Sequence, residues 1–182
     1  RYIDELMESL LNQTYPNIEI LAMDDGSSDD TGEILESYSE KYENVKVYHQ
    51  ANVGLAETRN NGMKIASGKY IAFVDGDDVV PIESYYRMVE SLEGTGSEMA
   101  TGFVQRLVDG TNRLYDPVNY QKAMPDTIKK TSIRNHTDLV YDSTAWNKLY
   151  DREFMLENGL FYPKGRLYED IPVEMAAHVL AN

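Results

Sequence analysis

Tyr70-Ile71-Ala72-Phe73-Val74-Asp75-Gly76-Asp77-Asp78 is the stretch on which the reading of this chain turns. An unbroken apolar run of this length fits a strand buried on both faces, and here it runs straight into carboxylates. Ile18-Glu19-Ile20-Leu21-Ala22-Met23 upstream has a similar form and stops just as abruptly at Asp24-Asp25-Gly26-Ser27-Ser28. A third, shorter strand is expected at Val45-Lys46-Val47-Tyr48-His49.

Helical patterns fill the intervals. Residues 3–11 carry apolar side chains at helical spacing, and Tyr15-Pro16-Asn17 breaks that pattern. Ile34, Leu35, Tyr38 and Tyr42 share one helix face, with Asp29 or Asp30 as its cap. Residues 55–66 read as helix closed by Ser67-Gly68, and Pro81 opens another through Leu92. Strands alternating with helices predict an α/β fold with a mostly parallel sheet flanked by helices. In such sheets ligands bind beyond the carboxyl ends of the strands. Both acidic clusters stand at such ends, which predicts that they share one edge of one sheet.

The second half is less regular. A strand over 99–107, a turn at Gly110-Thr111-Asn112 and a partner strand around Arg113-Leu114-Tyr115 predict a small antiparallel addition. Residues 116–137, with Pro117 and Pro125, read as a loop over the site. A helix over 151–158 stopped by Gly159, and a last one from near Asp170 toward Leu180, complete the pattern. With 182 residues the chain suits a single domain spanning 1–182.

The net charge is −14, distributed unevenly: residues 1–100 hold 7 Lys+Arg against 20 Asp+Glu, leaving 10 against 11 for the rest. An acidic surface repels phosphate backbones, which argues against a nucleic-acid partner. No apolar run approaches the roughly 18 residues of a membrane span. The absence of cysteine excludes disulfides and thiolate metal sites and fits a reducing cytoplasm.

Each acidic group has two readings. Asp75 and Asp77, alternate residues in an extended segment, can point the same way and offer hard oxygen ligands to Mg²⁺ or Mn²⁺; equally, Asp and Gly make surface turns. Asp24-Asp25-Gly26-Ser27 is either a turn with a helix cap or a carboxylate presented to a ligand. A calcium loop starting at Asp25 fails at its turn position, which holds Asp30 in place of glycine. Asp170, with Glu169 before it, is a helix cap by position, and an ionised carboxylate there can also serve as a general base. Trp146-Asn147-Lys148 fits either packing or the lining of a sugar site. His49, His136 and His178 lack metal-ligand spacing and read as structural, and no phosphate-binding glycine loop occurs.

Taken in order, these segments resemble the family 2 glycosyltransferases of the GT-A (Rossmann-like) fold, of the bacterial cell-envelope polysaccharide type. The matching stretches are Gln13-Thr14-Tyr15-Pro16-Asn17-Ile18-Glu19-Ile20, Asp24-Asp25-Gly26-Ser27-Ser28-Asp29, Asn52-Val53-Gly54-Leu55, Thr58-Arg59-Asn60-Asn61-Gly62 and Phe73-Val74-Asp75-Gly76-Asp77-Asp78. Trp146-Asn147-Lys148-Leu149-Tyr150 and Glu169-Asp170 look like the later landmarks.

The resemblance implies a metal-dependent, inverting transfer of a hexose or N-acetylhexosamine. The donor would be a UDP-sugar and the acceptor a glycan, teichoic-acid-like or lipid-linked hydroxyl. It implies that Asp25, supported by Asp24, meets the uracil edge, that Arg59 lies near the nucleotide, and that Asp75 contacts ribose. Asp77, with Asp75, would ligate Mn²⁺ or Mg²⁺. Asp170, beside Glu169, would be the base, with Trp146 and Lys148 near the sugar or acceptor. The expected location is the cytoplasm, with room for peripheral association at the inner face of the cell membrane. The family's first strand and its C-terminal elements have no counterpart here, so a fragment of a longer protein is expected, and Pro172 departs from the family pattern. The competing readings are a nucleotidyltransferase and a non-catalytic nucleotide- or glycan-binding module.

Overall fold

Strand β1 (Ile20–Asp24) pairs in parallel with β2 (Val45–His49), with Ile20 opposite Val45 and Asp24 opposite His49. This register brings the ends of both strands to one edge. The computed structural model describes residues 2–108, 110–111, 113–116 and 129–181. Helix α1 (Ile3–Leu11) and helix α2 (Thr31–Lys41), which links the two strands, close a core of Met7, Ile20, Leu35 and Val45. Asp29 rather than Asp30 supplies the side-chain bond at the start of α2, accepting from the Thr31 N–H at 3.1 Å.

The second ladder has the order β3 (Tyr70–Ile71), β7 (Lys148–Asp151), β4 (Met99–Thr101), with β7 antiparallel to both neighbours. The α/β class is the expected one, but two features differ from the sequence reading. Only Tyr70–Ile71 of the apolar run joins a ladder, and Ala72-Phe73-Val74 continues unpaired toward the acidic turn. The two acidic clusters therefore follow strands of separate ladders rather than one sheet.

Helix α3 (Leu55–Ile65) joins the two halves. Gly62 packs against Met23 of β1, where a Cβ would lie 3.6 Å from its Cγ, while Ala56 and Met63 enter the cluster around Phe73, Tyr150 and Tyr162. Thr58, Arg59 and Asn60 are buried on this helix although Leu55 and Ile65 at its ends are exposed. A helix that buries three consecutive polar residues along with its apolar Ala56 and Met63 is shaped by more than apolar packing.

Pro81 heads a turn, its carbonyl accepting from Ser84 N–H at 2.9 Å, and helix α4 begins only at Ser84 and runs to Thr95. The strand expected over 99–107 is interrupted after Thr101. A hairpin of β5 (Arg106–Leu107) and β6 (Leu114–Tyr115) then provides the antiparallel addition. Of the loop expected over 116–137, residues 117–128 lie outside the described residues. Its later part packs beside His178 and Leu180, near the end of the last helix remote from Asp170. Helices α5 (Arg152–Glu157, capped by Asp151) and α6 (Asp170–Leu180) complete the chain.

Lys148 of β7 has no exposed side-chain surface. Its ammonium donates to Asp142 Oδ1 and Asn147 Oδ1, both at 2.9 Å, and to the Thr144 carbonyl. Burial alone would push the Asp142 carboxyl up. The Lys148 charge and bonds from His178 and Asn147 outweigh it and hold that carboxyl below the ordinary carboxylate range. Every polar position of the lysine is used inside the fold, so the expectation that it lies against a sugar gives way to an anchoring role. Removing one partner of a buried pair strands the other charge, so Lys148→Ala is expected to cost about 3–5 kcal/mol in urea unfolding. A loss below about 1 kcal/mol, as for exposed pairs, would show that this ammonium is not desolvated.

Candidate active site

The turn after β1 is built from its own carboxylates. Asp24 is buried; its Oδ1 accepts the Ser27 N–H at 2.9 Å and its Oδ2 meets His49 Nδ1 at 2.8 Å. Gly26 has φ +77°, and a Cβ there would lie 3.0 Å from Asn52 N, so the turn needs glycine on both counts. Asp25 Oδ1 accepts from Gln50 Nε2 and Val53 N, and its Oδ2 from Gly54 N, all at 2.8 Å. Partial burial pushes the Asp25 carboxyl up, but these donors prevail and keep it lowered. The loop over 50–54 and the start of α3 are thereby fastened to the end of β1.

Arg59, four residues into α3, reaches the other acidic groups. Its side chain is only 6% exposed, with Nη2 at 2.8 Å from Asp75 Oδ1 and Nη1 at 3.1 Å from Glu169 Oε1. Its guanidinium lies 5.4 Å from the centroid of the Tyr162 ring. Burial favours loss of its proton, but the Asp75 charge and hydrogen bond outweigh that and raise its pKa.

Asp75-Gly76-Asp77-Asp78 is a tight turn closed by a bond from Asp78 N–H to the Asp75 carbonyl at 3.1 Å. Asp77 is exposed and Asp78 half-buried. Burial, then the charges of Asp75 and Asp77, push the Asp78 carboxyl up to about 6. Asp170 opens α6 and its Oδ1 accepts the Ile171 N–H at 3.0 Å, while Glu169 takes the cap position. Burial and the neighbouring Glu169 raise the Asp170 carboxyl, with Arg59 pulling the other way. Tyr168, just before the pair, is exposed and has φ +57°, a left-handed conformation that costs energy in a tyrosine and marks the entry to the acidic pair as constrained.

Of the residues expected at a site, Arg59, Asp75 and Glu169 make direct contact, with Asp77 and Asp170 beside them in sequence. Asp25 meets the start of the same helix through the Gly54 N–H, while Asp24 bonds Ser27 and His49. Trp146 is half-buried, next to the enclosed Asn147–Lys148 pair. Gln50, His49 and Tyr162 were not singled out as site residues by their sequence. Gln50 Nε2 donates to Thr58 Oγ1 at 2.8 Å as well as to Asp25. An open hollow of about 480 Å³ along α2, lined by Asp29, Glu33, Glu36, Glu40 and His49 among others, contains none of the groups around Arg59. It is a solvated acidic face.

The fold thus gathers carboxylates that follow strand ends around one buried arginine of an α/β protein. The sequence profile of glycosyl transferase family 2 matches residues 1–159, and the chain belongs to that family. It is 36% identical over 182 residues to the Bacillus subtilis glycosyltransferase EpsJ, covering 97% of this chain and 52% of that protein. Against Escherichia coli YibD the identity is 32%, covering 91% of this chain and 49% of that protein. The crystal structure of S. aureus TarS 1-349 in complex with UDP-GlcNAc superposes with a TM-score of 0.86 at 28% identity, covering 100% of this chain and 50% of that one. These structural neighbours are GT-A glycosyltransferases, so the fold is GT-A. The chain spans about half the length of the relatives it matches.

His49 Nδ1 and Nε2 are each 2.8 Å from a carboxylate, Asp24 Oδ2 and Glu36 Oε1. The Asp24 bond, then that of Glu36, raises the His49 pKa. A group raised by folding stabilises fully below its unfolded value, near 6.5, and that contribution is lost as pH rises through the folded value. His49→Gln is therefore expected to lower the urea midpoint more at pH 6 than at pH 9. An equal loss at both would show that protonation contributes nothing to this clamp.

Proposed function

We propose that this chain carries the donor site and the base of an inverting transferase. In this reading it moves a hexose or N-acetylhexosamine from a UDP-sugar to a hydroxyl of a cell-envelope glycan or polymer. The observation that supports this most is Arg59, buried and shared by Asp75 and Glu169, which ties the acidic turn after β3 to the residue beside Asp170. The likeness to TarS with UDP-GlcNAc favours a uridine nucleotide.

Asp25 is oriented by Gln50, Val53 and Gly54 on a turn that Asp24 and Gly26 fix, and is proposed to face the imide N–H of uracil. Asp75, oriented by Arg59, is proposed for ribose, and Asp77, exposed on the same turn, for the diphosphate end.

No cluster of three His, Asp or Glu side chains among the described residues is arranged to hold a metal. The turn nevertheless suits one: it sets Asp75, Asp77 and Asp78 close together, and burial first, then the charges of Asp75 and Asp77, push Asp78 up to about 6, the second part of which a cation would relieve. Asp77, with Asp75, would hold Mn²⁺ or Mg²⁺. Such an ion, when bound, offsets the charge that develops on the departing diphosphate.

Asp170 takes the acceptor proton. Its raised carboxyl is a stronger base than an ordinary aspartate, and its place at the start of an 11-residue helix helps keep it ionised. As the O–H proton passes to Asp170, the acceptor oxygen bonds to the anomeric carbon from the face opposite UDP. The C–O bond to the diphosphate breaks with its electron pair leaving on UDP, and the anomeric configuration inverts. No helix among the described residues is long and apolar enough to cross a membrane. The proposed place of action is the cytoplasm, at the inner face of the cell membrane.

The test is calorimetric titration of UDP with Mn²⁺, repeated with EDTA and with Asp77→Ala, alongside turnover of UDP-GlcNAc. Binding is expected to need both the ion and Asp77. Asp170→Asn is expected to keep UDP binding and lose about 10²–10⁴-fold in kcat. UDP binding without turnover, unaffected by Asp170→Asn, would instead indicate a non-catalytic nucleotide-binding module.

A further inference from the structure

Tyr162 touches both halves of the site while belonging to neither. Its backbone N–H donates to Asn60 Oδ1 and its carbonyl accepts from Asn60 Nδ2, both at 2.8 Å. Asn60 is the residue after Arg59 on α3. The Tyr162 ring carries the Arg59 guanidinium on one side and meets Phe73 edge-on, with centroids 5.3 Å apart, on another. Its hydroxyl donates to Glu174 Oε1 at 3.4 Å. Glu174 lies one helical turn beyond Asp170 on α6, on the same face.

Glu174 is itself fixed. It is fully buried, its Oε2 accepts the Tyr150 hydroxyl at 2.6 Å, and Lys148 Nζ stands 3.7 Å from the same oxygen. Hydrophobic residues of similar volume often serve stability as well as a buried ionic cluster does, so stability alone is a weak account of this one. What the Tyr162–Glu174 contact adds is geometric: it ties the rotation of α6, and so the direction of Asp170, to the tyrosine on which Arg59 rests, a link in which the Tyr150 hydroxyl has no part. The hydroxyl–Glu174 contact is long, but at 2% exposure Tyr162 has almost no water to bond instead.

We propose that Tyr162 is a positioning residue that couples the donor side of the site (Arg59, Asp75) to the base side (Glu169, Asp170), an inference that rests on the transferase reading above. The link acts on how Asp170 and the donor face one another, not on whether the donor binds.

Tyr162→Phe keeps the ring under Arg59 and removes only the hydroxyl. Tyr150→Phe is the control: it removes a hydroxyl from the same buried carboxylate but from a ring that neither Arg59 nor Asn60 contacts in the structure. With UDP-GlcNAc, Tyr162→Phe is expected to lower kcat by about tenfold with KM and UDP affinity within about twofold, the pattern of a lost transition-state interaction. Tyr150→Phe is expected to lower the urea midpoint at least as much while leaving kcat within about twofold. Equal kcat losses in both variants, or no loss in Tyr162→Phe, would overturn the proposal.

A second measurement needs no turnover. In urea unfolding, the pair Tyr162→Phe and Glu169→Gln is expected to be non-additive by about threefold or more in the unfolding constant, and additivity would overturn the coupling. A parent chain that turns over no UDP-sugar would sink the transferase reading, and this cycle would still decide whether the coupling exists.

Discussion

The arrangement depends on one buried cation. Arg59 is nearly removed from water, and desolvating a charge costs several kcal/mol even after relaxation. At about 3 Å and an effective dielectric near 20, one opposite charge returns about 5 kcal/mol. A single carboxylate would therefore roughly break even, and one as exposed as Asp75 would return less through solvent screening. The second carboxylate, Glu169, and the face of Tyr162 tip the balance. The arginine is thus stable in this place only while the turn after β3, the start of α6 and the loop before it are all present, and each of these is held by it in return.

The same logic explains why α3 buries polar residues beside its apolar Ala56 and Met63. Its outward Leu55 and Ile65 and inward Thr58, Arg59 and Asn60 would be a poor choice for a helix that only fills space. Thr58 receives Gln50 from the loop that Asp25 fastens, Arg59 receives the acids, and Asn60 receives both backbone groups of Tyr162. Three consecutive residues thus address three separate segments, which lets two ladders without a shared hydrogen bond act as one scaffold.

Much of this was legible in the sequence, for definite reasons. The alternation of apolar runs and helical periods gave the α/β class, and the abrupt carboxylates after Met23 and Val74 marked the two acidic turns. The antiparallel entry of β7 was not legible, because Lys148-Leu149-Tyr150-Asp151 carries no alternation and pairs with partners far away in the chain. Without that strand the two acidic clusters read as one sheet edge. Lys148 looked like a binding residue because its type suits a sugar or phosphate, and only its burial against Asp142 shows otherwise. Asp170, Val173, Glu174 and Ala177 do share one helical face, a signal for Glu174. An apolar face with one acid in it does not say what that acid bonds.

The electrostatics of Asp170, the proposed base, follow from the same arginine. Burial and Glu169 raise the Asp170 carboxyl and make it a stronger base, but unopposed they would leave it protonated for more of the working range. Arg59 opposes both, lowering Asp170 through space and pairing Glu169 directly. A base of this kind needs a pKa high enough to accept a proton and low enough to be ionised beforehand. The opposing influences come from groups within two residues of one another or bonded to one another, so neither can move without the other. At Asp78 burial, then the charges of Asp75 and Asp77, push the carboxyl up to about 6, and no arginine opposes them. One buried arginine therefore separates two raised aspartates that the sequence would treat alike: it opposes the rise at Asp170 and not at Asp78.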